Sequence, residues 1–62
     1  MKEKVIRVDA MGKADHYVNK VGALEAEIRE GVLIISEERA AVTYAAGKWE
    51  KVSIMERDLD GE

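Results

Sequence analysis

Polar and apolar residues alternate from Lys4 to Ala10, with Ile6, Val8 and Ala10 on one side and Arg7 and Asp9 on the other. Period-two alternation predicts a half-buried strand. Met11-Gly12-Lys13 then turns the chain. From Gly31 to Met55, three further apolar runs are separated by the polar stretch Ser36-Glu37-Glu38-Arg39 and by Ala46-Gly47-Lys48. Glycines at 12, 22, 31 and 47 punctuate the chain at intervals that suit short strands better than long helices.

Residues 14–30 carry two patterns. As a strand, Leu24, Ala26 and Ile28 alternate with Glu25, Glu27 and Arg29, and Glu30-Gly31 forms a two-residue hairpin loop. As a helix, Ala14, Tyr17, Val21, Leu24 and Ile28 form one apolar stripe, and Gly31 ends it. Gly22 and the β-branched Val18 and Val21 weigh against the helix. The reading adopted is therefore a mostly β domain, a small antiparallel meander or barrel of five to six short strands. The alternative is an α+β arrangement, β-α-β-β-β, with a helix at 14–30 covering one face.

Parity across the turns sorts the later runs into two faces. A loop at Glu37-Glu38 sets Ile35 opposite Ala40 and Leu33 opposite Val42. A three-residue loop at Ala46-Gly47-Lys48 sets Val42 opposite Val52 and Ala40 opposite Ile54. The expected core face is Leu33, Ile35, Ala40, Val42, Tyr44, Val52 and Ile54, with Glu50 near its rim. The other face holds Val32, Ile34, Ala41, Thr43, Ala45, Trp49, Lys51, Ser53 and Met55. A solvated face alternates polar residues, and this one does not. An uncovered apolar face marks an interaction site, so Val32, Ile34, Ala41, Thr43, Ala45, Trp49 and Met55 are the expected interface. Trp49 leads the set, because Trp combines large area with an N–H handle.

Size strengthens that expectation. Sixty-two residues with no Cys and one His leave disulfides, thiolate metal sites and a large core out of reach. Small domains in that position compensate by self-association. With 47% hydrophobic and 37% charged residues the composition is globular. No run reaches the ~18 apolar residues of a membrane helix, and no apolar segment follows Met1-Lys2-Glu3-Lys4. A cytoplasmic protein without membrane contact is the expectation. Residues 1–56 read as one domain and 57–62 as an acidic flexible tail.

Charge adds a second functional reading. Residues 1–21 hold five basic and three acidic side chains, whereas 22–62 hold five and ten, which together give the net −3. Lys2, Lys4, Arg7, Lys13 and Lys20 could therefore contact a nucleic acid or nucleotide. Only Tyr17 lies among them as a stacking surface, which leaves this the weaker reading. No motif supports catalysis or a cofactor. His16 beside Asp15 has no second His and no Cys to complete a metal or nucleophilic site. Gly12-Lys13 lacks the earlier glycine and the following Ser or Thr of a phosphate-binding loop. Asp58-x-Asp60-Gly61-Glu62 stops short of a calcium loop's remaining ligands. The expectation is a non-enzymatic interaction module that binds itself and acts by binding a protein or small ligand, as a regulator or inhibitor.

Overall fold

Two short loops with left-handed backbone set the hairpins that begin the two sheets. In the computed structural model, which describes residues 2–58, strands β1 (Lys2–Ala10) and β2 (Lys13–Lys20) are joined by Met11-Gly12. Strands β3 (Glu25–Arg29) and β4 (Val32–Ser36) are joined by Glu30-Gly31. Both residues of each loop have positive φ, at 54° and 79° in the first and 51° and 82° in the second. That is the type I′ geometry whose twist matches the flanking strands. Strands β5 (Ala41–Tyr44) and β6 (Lys51–Asp58) complete the chain.

The six strands form two antiparallel sheets of three, in the order β2-β1-β6 and β3-β4-β5. The mostly β, antiparallel reading holds, and the helix at 14–30 does not form. Gly22 explains much of that. With φ of 100° it occupies the third position of a turn closed by the Ala23 N–H donating to the Lys20 carbonyl at 3.0 Å. The turn carries the chain from the first sheet to the second.

The inner faces meet in a small core. Ile6 and Val8 from β1, Leu33 and Ile35 from β4, and Leu24 from the crossing segment are its fully buried members. Tyr17, Ala26, Tyr44, Trp49 and Val52 pack around them. Lys4 ties the crossing segment to β1. Its ammonium donates to the Leu24 carbonyl at 3.0 Å and lies 3.8 Å from the Glu25 carboxylate.

Two pairings differ from the expectation. Leu33 lies opposite Tyr44 and Ile35 opposite Val42, two residues along from the expected register. The loop is longer because the Glu37 N–H donates to the Ala40 carbonyl at 2.8 Å, which takes Ala40 out of the strand. A shift of two preserves parity, so the faces of β4 and β5 are as expected.

The second difference is larger. β5 and β6 do not pair. The segment after β5 turns at Ala45–Lys48 and returns to the free edge of β1, where Val8 meets Val52 and Ile6 meets Ile54. Pairing β6 there makes β1 a central strand. β6 also runs through Arg57 and Asp58, so the strand extends two residues beyond the expected domain end. Arg57 binds Glu3 on β1 at 2.7 Å. The remainder of the expected tail, residues 59–62, lies outside the described residues.

Candidate interaction surfaces

The outer face of the β3-β4-β5 sheet keeps most of the expected interface together. Ile34 sits between Glu27 and Thr43, and Val32 lies beside Arg29. Ala41 is opposite Ser36, and Ala45 lies exposed just past the end of β5. Val32 and Ile34 are half-buried on this outer face.

Trp49 and Met55 do not join this face, because the turn after β5 sends them to the other sheet. Trp49 packs against the core, and its indole N–H donates to the Gly31 carbonyl at 2.9 Å. It therefore pins the β3–β4 hairpin to the strand that returns to β1.

Met55 lies on the outer face of the β2-β1-β6 sheet, in a row that sequence reasoning missed. There Val5 faces Val18 on one side and Met55 on the other. The two flanking side chains bury Val5 while remaining 45% and 55% exposed themselves. The signal was present in Lys4-Val5-Ile6, where apolar residues occupy both parities of β1. Basic rows flank this apolar row. Arg7 is opposite His16 and Ser53, and Glu3 is opposite Lys20 and Arg57.

A third apolar feature lies on the inner faces. Ile28 on edge strand β3 and Ile54 on edge strand β6 point inward, yet they are 54% and 56% exposed. The two sheets leave these side chains incompletely covered.

The basic residues considered for nucleic acid are divided between surfaces. Arg7 and Lys20 share the outer face of the β2-β1-β6 sheet, whereas Lys2, Lys4 and Lys13 have the opposite parity. Lys4 is already engaged with Leu24 and Glu25. His16 and Asp15 also part, since successive strand residues point to opposite faces. His16 is exposed opposite Arg7, and Asp15 accepts a hydrogen bond from the Tyr44 hydroxyl at 3.1 Å.

Tyr44 is further hydrogen-bonded to Tyr17, which links β5 to β2. Partial burial, followed by the bonds to Tyr17 and Asp15, holds its hydroxyl well above the ordinary phenol range. The unfolded chain then releases this proton first. The contribution to stability is complete below about pH 10, the unfolded tyrosine value, and is lost as pH rises through the higher folded value. Part of the phenolate absorbance is expected to appear only above the ordinary tyrosine range, and Tyr44→Phe should remove that late part. A wild type that titrates wholly in the ordinary range would contradict this environment.

Beside Tyr44 a cleft of about 570 Å³ opens between the β1–β2 turn and the segment after β5. Its lining includes Lys13, Asp15 and Lys48 together with Ala10, Met11 and Ala45. Among the described residues no group of three or more His, Cys, Asp or Glu is arranged to hold a metal ion. No helix long and apolar enough to cross a membrane occurs among the described residues. Comparison of the chain with family models, with curated proteins and with solved structures returns no match, so these surfaces are read from their own chemistry.

Proposed function

We propose that this chain is a small non-enzymatic interaction module that works by binding another polypeptide, first of all a second copy of itself. The observation that carries the reading is the Val18–Val5–Met55 row. Apolar side chains span all three strands of an outer face, with Val18 and Met55 exposed on either side of the buried Val5. Large apolar side chains gathered on one face, rather than scattered singly, mark interaction sites. The second outer face, with Val32 and Ile34, and the half-covered Ile28 and Ile54 add to the same account. A core with five fully buried side chains among the described residues supports it from the side of stability, because a domain this small gains from burying more surface in an assembly.

The nucleic-acid reading gains less support. Its five basic residues are split between two parities, and Lys4 is occupied within the fold.

Sedimentation velocity over a protein series from low micromolar to millimolar provides the test. The weight-average sedimentation coefficient is expected to rise with concentration, and Met55→Glu should flatten that rise while leaving the far-ultraviolet dichroism unchanged. A wild type that stays monomeric throughout the series would sink the self-association reading.

A further inference from the structure

Four strands end their sheets, β2 and β6 in one and β3 and β5 in the other. An edge strand presents unpaired N–H and C=O groups, and proteins blunt it by keeping it short or by pointing charges inward. β3 and β5 have only five and four residues. β2 points Lys13 and Asp15 inward and is tied to the other sheet, through Tyr17 and Asp15 to Tyr44 and through Asn19 to Glu37 at 3.3 Å. β6 differs. It runs for eight residues, and among the described residues it pairs on one side only, with β1. Its first inward-pointing charge is Glu56, so Lys51–Met55 is an edge without that protection. Ile54 points inward there and stays more than half exposed, with no described strand beside it.

We infer that the free edge of β6 pairs antiparallel with the same edge of a second copy, about a two-fold axis at Met55. The inference rests on the self-association reading above and gives it a geometry. An open backbone edge calls for an extended strand, and a second copy supplies one of matching length. Main-chain hydrogen bonds then provide the affinity, so no broad covered face is needed.

Symmetry and side chains choose the register. A two-fold axis that keeps both inner faces on one side passes through a residue, and the overlap is greatest at Ile54 or Met55. Centring on Ile54 sets Lys51 against Arg57 of the second copy, and like charges directly opposite destabilise a pair. The bond from Arg57 to Glu3 at 2.7 Å softens that cost, so the apolar side chains decide. Centring on Met55 sets Met55 against Met55 and joins the two Val18–Val5–Met55 rows into one row across both sheets. The contact uses the same surface on both partners and closes as a dimer. The edges it leaves open are the blunted ones, β2, β3 and β5.

The sequence has no cysteine, so single Cys variants report the contact. In the paired edges the two Met55→Cys positions stand about 4.5–5.5 Å apart at Cα, within disulfide reach. The two Ser53→Cys positions are offset by about 13 Å along the strands, beyond it. Mild oxidation at millimolar concentration is expected to give covalent dimer from Met55→Cys at least about tenfold faster than from Ser53→Cys. Val18→Glu, at the far end of the row, should sediment as the wild type does, because edge pairing leaves Val18 uncovered. Packing of one outer face on another would be broken by it. Circular dichroism verifies folding, and Val18→Thr replaces Val18→Glu should that variant unfold. Cross-linking at 55 no faster than at 53, or loss of association in the folded Val18 variant, overturns edge pairing while self-association stands. If the wild type never assembles, both fall.

Discussion

Leu33→Ala is expected to remove a large part of the fold's stability. Leu33 is fully buried on β4, the central strand of its sheet, between Ile28 and Tyr44. Removing a buried Leu side chain costs about 2–5 kcal/mol, the transfer term plus the cavity it leaves. A 62-residue domain holds only about 3–9 kcal/mol at the usual stability per residue. The upper part of the first range consumes most of the second. The cavity cannot refill cheaply, because the side chains clustered with Leu33 are Ile6, Val8, Leu24 and Ile35, themselves fully buried core members. Urea unfolding followed by circular dichroism and by Trp49 fluorescence gives the measurement. A loss below about 1 kcal/mol, the range of an ordinary surface change, would mean that the two inner faces do not meet at Leu33.

The sequence made the elements of this core legible and left their assembly less so. β1 was readable because Ile6 and Val8 alternate with Arg7 and Asp9, and no helix period fits that run. The Glu30-Gly31 loop was readable because a two-residue loop with glycine at its second position has few other uses. Parity placed Leu33, Ile35 and Tyr44 on one side, and that side is the core. Register within the β4–β5 pair slipped by two without harm, since side-chain direction repeats every two residues.

The partner of β6 was not legible. Val52 and Ile54 alternate with Lys51 and Ser53 in the same way whether their neighbour is Val42 or Val8, so the pattern fits either edge equally well. A turn of Ala45–Lys48 closed by one hydrogen bond serves a hairpin or a crossing alike. What decides is three-dimensional. Pairing with β1 gives that strand two neighbours and lets Val52 join the core beside Val8. This one ambiguity also governed the candidate site. It moved Trp49 into the packing around the core and Met55 to the opposite outer face, leaving Val32, Ile34, Ala41 and Thr43 where parity had set them.

Gly31→Val is expected to cost more than the same kind of change at the other type I′ loop, and the difference identifies what holds the β3–β4 hairpin down. At φ of 82°, a side-chain-bearing residue pays about 1–2 kcal/mol for left-handed backbone, and a β-branched one pays more. Gly12, at φ of 79°, has open space where a Cβ would stand, so Gly12→Val pays only this backbone term. At Gly31 a Cβ would stand 3.3 Å from the Ala46 Cβ, and the branches of Val would press further into the Ala45–Lys48 turn. Relief by moving the hairpin away would stretch the bond from the Trp49 indole to the Gly31 carbonyl, worth about 0.5–1.5 kcal/mol. The expected order of destabilisation is therefore Gly31→Val above Gly12→Val by about 1–3 kcal/mol, the usual penalty for overpacking. Ala46→Gly removes the opposing methyl and should restore part of the Gly31→Val loss, a coupling that a double-mutant cycle in urea measures directly. Equal losses at the two glycines with no coupling to Ala46 would mean that the hairpin tip and the returning segment are not in contact. Both would then have to be held by their strands alone, and the route by which β6 reaches β1 past Gly31 would need to be redrawn.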